Sequence, residues 1–293
     1  MILANKTPIW FLLTTASKDM FYTTLFTIIL FLIHLKYTFF AMPIGISAIL
    51  GTTIALILSF RLAQSYDRWW EARKIWGAIV NDSRSLSLQV LNFSAVEEHQ
   101  KAIEIVNLQV AWVSALSHQL RHEPVDKNYI QKYIAKEHQD EILLSVHPAL
   151  MINNLINQKI ESIESIDQFK RMQLDSTLVR LVASMGASER IKNTVFPGEY
   201  QLYLRFSIYI FLAFMSISLE NLGHTWEVLL ILFIATPFFL LEKAAQHLQD
   251  PFEGKPTDVP ISTISRNIEI NLLTLLKEKE VPTPLEATGF YIN

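Results

Sequence analysis

Two histidines four residues apart, His118 and His122, with Glu123 beside them, are the residues whose types and spacing come nearest to a reactive centre. On one helix face such a pair can ligate zinc. Helical metalloproteases carry Glu directly after the first His, and here Gln119 holds that position. The spacing therefore reads as a pair of solvated histidines. A membrane-anchored, metal-dependent enzyme built on His118, His122 and Glu123 is the alternative class. Glu97, Glu98 and His99 read as a solvated turn. The 8 Gly residues are scattered, so no phosphate-cradling loop forms, and no Ser sits in a G-x-S-x-G elbow. Cys is absent, which removes thiol nucleophiles, disulfides and Cys-ligated metals. The reading is of a non-enzyme without cofactor or resident metal.

A different pattern lies earlier in the chain. Thr52, Leu56 and Phe60 are spaced by four and share one helix face. On an isolated helix this is an ordinary packing stripe. In a ring of identical helices the same stripe makes a hydroxyl collar, an aliphatic collar and an aromatic collar. Apolar collars stop ions by dewetting. Gly45 and Gly51 would allow the close helix approach that such a bundle needs.

The elements that must carry these residues follow from composition. Of 293 residues, 51% are hydrophobic and only 18% charged, against about 25% charged in soluble domains. A net charge of −3 leaves no basic footprint for nucleic acid. Mean hydropathy is +0.26, too high for an ordinary soluble enzyme and too low for a chain that is membrane throughout. Residues 37–60 carry no charge and are long enough to cross a bilayer. Residues 20–35 form a first span, closing in a tight hairpin near Lys36 and Pro43. Two later uncharged blocks, 206–219 and 228–241, are extended outward, with Arg205 snorkelling and Trp226 at an interface. Pro237 would kink the last span.

Loop charge sets the expected topology. Glu220 and Glu227 border the turn between the third and fourth spans, whereas Lys6 and Lys18 lie in the opening segment. Positive-inside logic puts both termini in the cytoplasm of a multi-pass plasma (inner) membrane protein. No cleaved leader is expected after the apolar run 8–16. Residues 62–200 read as helical, with breaks at Glu123-Pro124, His147-Pro148 and Phe196-Pro197. No Pro or Gly interrupts 56–76, so the second span should run on into the cytoplasm as one helix. The expected divisions are 1–61 (opening segment and spans one and two), 62–200 (cytoplasmic helices), 201–242 (spans three and four) and 243–293 (a cytoplasmic tail with a short helix over 264–276).

After Phe60 the chain reads Arg61, then Tyr66-Asp67-Arg68-Trp69-Trp70-Glu71-Ala72-Arg73, then Trp76-Gly77. This block resembles the signature of the bestrophin family, in particular its prokaryotic branch. Residues 112–121 resemble the family's central helix. Ser188-Glu189-Arg190-Ile191 with Pro197 and Tyr200, and Asp250-Pro251-Phe252 with Asp258, Pro260, Arg266 and Asn267, resemble further family segments. The similarity runs from about residue 10 to 275 and forms one bestrophin domain. It implies an all-α membrane protein with four transmembrane helices and a helical cytoplasmic part, assembled as a homopentamer around one pore. The implied function is passive conduction of small inorganic ions, chloride-like anions first and monovalent cations as the alternative. The family's neck positions fall on Thr52, Leu56 and Phe60, Thr52 replacing the usual apolar residue and making the outermost collar wetter. A second, cytoplasmic constriction is expected at Phe169. Animal members bind calcium through an acidic run after the Pro-Phe element; here Asp250, Glu253 and Asp258 are a depleted remnant.

Overall fold

In a computed structural model of the chain, the described residues are 1, 8–36, 42–194, 197–219, 224–287 and 289–292. They form ten α-helices and one short 3₁₀ turn. These are α1 (Ile9–Lys36), α2 (Ile44–Phe93), α3 (His99–Leu120), α4 (Lys127–Tyr133) and α5 (Lys136–Leu144). They continue with α6 (Pro148–Glu161), α7 (Gln168–Asn193), α8 (Gly198–Leu219), α9 (His224–Gln249) and α10 (Ile261–Leu275). Four carry stretches long and apolar enough to cross a membrane, within 14–33, 44–93, 198–219 and 226–249. The expected hairpin before Pro43, the turn at 220–223 and Phe196 lie at least partly outside the described residues.

The helices are longer than the uncharged blocks. α1 begins at Ile9 and runs through Lys18 and Asp19, so the first span is part of a longer rod. α2 is one helix of 50 residues, about 75 Å at 1.5 Å per residue. No Pro falls inside it, and Gly77 is its only glycine beyond Gly51. Pro237 lies inside α9.

The chain divides into two compact units. One comprises residues 4–68 and 195–249. Here α1 packs on α9 and α8, and α8 on α9. Its apolar core includes Ile54 and Leu58 with Ile208, Leu212, Ile231 and Phe239. Rings of Phe26 and Tyr209 meet edge to face at 5.2 Å. Gly51 permits a close approach: a Cβ there would lie 2.9 Å from the Phe211 ring. Gly45 meets nothing within 4 Å inside its own chain.

The other unit holds 69–194 and 250–293. α3 is its central helix, buried continuously from Leu108 to Ser117 and packed on α6, α10, α4 and α7. Trp76 and Trp112 are its largest fully buried side chains. Pro148 starts α6 at its first turn, where its missing N–H costs nothing. Asp126 and Asp167 cap α4 and α7 by accepting from the backbone N–H of Asn128 and Lys170.

Candidate functional site

α2 divides its residues sharply by exposure. Ser47, Ile54, Leu58, Arg61 and Ser65 are buried at steps of three, four and seven. Leu56 and Phe60 sit on the other side, 56% and 62% exposed, with Thr52 exposed above them. The Thr52 hydroxyl donates to the Ala48 carbonyl at 2.8 Å. Its outward side therefore offers a methyl group and oxygen lone pairs.

Arg61 is held inward although Phe60 beside it is exposed. Its Nη1 lies 3.6 Å from Glu242 Oε1, with side chains 3% and 0% exposed. The guanidinium also stands over the Tyr200 ring, 5.9 Å from its centroid. Glu242 further receives Arg205 Nη2 at 3.2 Å and Gln201 Nε2 at 3.2 Å. Arg205 and Lys243 both reach Asp19, at 3.6 and 3.4 Å. One charged knot thus ties α1, α2, α8 and α9. The snorkelling expected of Arg205 is replaced by internal pairing, because two carboxylates lie within its reach. Asp19, Glu242 and Lys243 escaped the sequence reading. Their signal was the placing of charges at the ends of apolar blocks, which by itself cannot say which charges meet.

The rest of the signature block anchors the chain. Arg68 Nε donates to the Gln249 carbonyl at 2.5 Å. Trp69 Nε1 donates to the Thr257 carbonyl at 3.0 Å, and its ring stacks on Trp70, centroids 6.3 Å apart. Glu71 pairs with Arg190 at 2.8 Å. Arg73 lies along its own helix, its Nη1 3.7 Å from where a Cβ of Gly77 would be. Tyr66 is half exposed.

Phe169 stands in the first turn of α7, 85% exposed, and Met172, Val179 and Val182 continue an exposed apolar stripe. The 250–258 turn is built from its own carboxylates. Asp250 pairs with Lys192 at 2.8 Å and accepts from the Phe252 N–H at 3.1 Å. Glu253 pairs with Lys255. Asp258 is buried and accepts from the Lys255 N–H at 2.9 Å. Burial pushes its carboxyl up to about 6, against the opposing pull of that N–H. Gly254 takes φ +84°, the left-handed conformation that closes the turn. Among the described residues no group of three or more His, Asp or Glu is placed to hold a metal ion.

Two sequence readings change. His118 and His122 do not share a helix face: α3 ends at Leu120 and His122 has φ +57°. The His118 Nδ1 faces the Ser114 carbonyl at 2.8 Å. Glu98 is more than a solvated charge. It accepts from the N–H of Glu164 and Ser165 and from Lys101, at 3.1, 2.9 and 2.8 Å. Lys101, then Ser165, hold its carboxyl down at about 2. A cavity of about 160 Å³ lies beside His118, lined also by Tyr129, Arg266 and Glu269. Its charged groups are internally matched: Glu269 takes Arg266 at 3.0 Å and the Tyr133 hydroxyl at 2.5 Å.

A family model described as bacterial/fungal bestrophin protein matches residues 12–274. The chain belongs to the bestrophin family. Among curated proteins, this bestrophin is 30% identical over 252 residues to the voltage-dependent anion channel-forming protein YneE of Escherichia coli O157:H7, covering 85% of this chain and 81% of that one. The protein of the same name in strain K12 is 29% identical over 255 residues, covering 86% and 82%. Among solved structures, a mutant of a bacterial bestrophin homologue from Klebsiella pneumoniae superposes with a TM-score of 0.81 at 28% identity. It covers 88% of this bestrophin and 98% of that chain. The structure carries the four apolar helices expected from the charge gaps, in a fold shared with the Klebsiella pneumoniae homologue.

Proposed function

We propose that five copies of this chain assemble around one axis as a passive channel for small inorganic ions, with chloride-like anions preferred, in the plasma membrane with both termini cytoplasmic. The observation that carries the reading is the exposed stripe of Thr52, Leu56 and Phe60 on a helix whose opposite face is buried. Five such stripes facing one axis form a neck whose two apolar collars exclude water until it widens. Phe169 and the apolar stripe behind it on α7 supply a second narrowing. The names of the relatives, as anion channel-forming proteins, support the anion preference. The acids of the 250–258 turn are each already engaged, Asp250 by Lys192, Glu253 by Lys255 and Asp258 by the Lys255 N–H.

One observation favours monovalent cations instead. The Thr52 hydroxyl hydrogen is used within the helix, so the outer collar presents oxygen lone pairs. Reversal potentials of the purified protein in liposomes under a KCl gradient decide between the two. A shift toward the chloride equilibrium potential supports the first reading and one toward the potassium potential the second. Silence in both directions removes the channel.

A further inference from the structure

The geometry points to Glu242 as the positioning residue of the neck: it holds the rotation of α2 that leaves Phe60 facing away from the subunit core. This inference rests on the pore reading above. Phe60 and Arg61 are consecutive, so their side chains leave the helix about 100° apart. Fixing one therefore fixes the other. Arg61 is 3% exposed and its charge is met by Glu242, itself 0% exposed. Tyr200 covers the guanidinium from the side of α8.

Glu242 is the hub of the knot. It takes Arg61 from α2 and Arg205 and Gln201 from α8, and it sits on α9. Asp19 engages Arg205 and Lys243, at 3.6 and 3.4 Å, and so ties α1 to α8 and α9. Without the Glu242 charge, Arg61 is a buried cation with no opposing carboxylate, a state that costs far more than a missing surface pair. The guanidinium then seeks water, and a turn of α2 supplies it. Any turn that releases Arg61 carries Phe60 off the axis. Glu242 touches no ion in this scheme and acts through Arg61.

The chain has no cysteine, so a single introduced thiol reports on position 60 alone. The test is the rate at which a charged, water-soluble methanethiosulfonate modifies Phe60→Cys in reconstituted channels, followed as a change in current. In the parent background, modification that alters current supports the pore reading, and absence of any effect sinks that reading. Adding Glu242→Gln is expected to slow the reaction about tenfold, the scale of coupling within one salt-bridge network. The neutral pair Arg61→Gln with Glu242→Gln should return the rate most of the way to the parent, since no unpaired charge remains. An unchanged rate in Glu242→Gln overturns the positioning role while the pore stands. A neutral pair as slow as Glu242→Gln alone also overturns it, because Glu242 would then act through Arg205. If Glu242→Gln fails to assemble, Glu242→Asp keeps the charge but draws it back from Arg61 by one methylene, and an unchanged rate there counts against the inference equally.

Discussion

The Tyr133 hydroxyl donates to Glu269 Oε1 at 2.5 Å, joining α4 to α10 across 136 residues of sequence. Glu269 is 1% exposed and is also met by Arg266 at 3.0 Å and by Lys132 at 3.8 Å. Burial, then the hydrogen bond to this carboxylate, raises the Tyr133 hydroxyl pKa. The pair therefore holds α10 against α4. Tyr133→Phe leaves the carboxylate buried with one donor fewer. We expect a loss of about 1–3 kcal/mol, the cost of an unmet buried acceptor, read as a lower midpoint in thermal unfolding of the detergent-solubilised protein. A midpoint within error of the parent would show that the basic partners suffice.

Cutting Leu56 and Phe60 together to Ala removes the greasy part of both collars, since each is more than half exposed on α2. The side chains act by keeping water out, so smaller ones lower the wetting barrier. Single-channel recordings should show a higher open probability and a larger conductance in the double variant than in either single one. A conductance equal to or below the parent's would mean that these residues do not face the ion path.

The charge gaps in the sequence were enough to find the four apolar helices, because a bilayer-crossing helix cannot hide a run of Lys or Asp. They could not find where the helices end. α1 tolerates Lys18 and Asp19, and α9 tolerates Glu242 and Lys243, because these groups neutralise one another. That matching depends on which helices become neighbours, and no periodicity in a single segment reports it. Spacing also misled at His118 and His122, where the four-residue step meant one face only while the helix lasted. Glu227 shows the same limit. It reads as a loop charge, yet it lies in the first turn of α9, 1% exposed, accepting from the Ser216 hydroxyl.

Gly51 and Gly45 should respond differently to the same substitution. A Cβ on Gly51 meets the Phe211 ring at 2.9 Å, whereas one on Gly45 meets nothing within 4 Å. Gly51→Ala must push the ring aside, an overpacking cost of about 1–3 kcal/mol. Gly45→Ala gains about 0.5–1 kcal/mol from the lower entropy of the unfolded chain. Thermal midpoints of the two variants should therefore move in opposite directions. Pairing Gly51→Ala with Phe211→Leu should recover most of the loss if the ring is the obstacle.

Stability against pH should carry two opposed limbs from two carboxyls outside the membrane helices. Asp258 titrates at about 6 in the folded chain against an ordinary 3.8. The native state therefore binds its proton more tightly than the unfolded state. Stability from this group falls as pH rises from about 4 to about 6 and is flat above. Glu98 is shifted the other way, to about 2 from 4.5, by Lys101 first and then by Ser165. Its contribution is complete above about 4.5 and fades as pH drops toward 2. Asp258→Asn keeps an oxygen able to accept from the Lys255 N–H and removes the ionisation. It should raise the thermal midpoint at pH 7, by about 1–3 kcal/mol in stability terms, and leave pH 4 nearly unchanged. Glu98→Gln should instead weaken the protein at pH 7 and flatten the acid limb. Melting curves of parent and both variants from pH 3 to pH 8 separate the two. Parallel curves for the parent and Asp258→Asn between pH 4 and pH 7 would show that the buried acid stays ionised throughout.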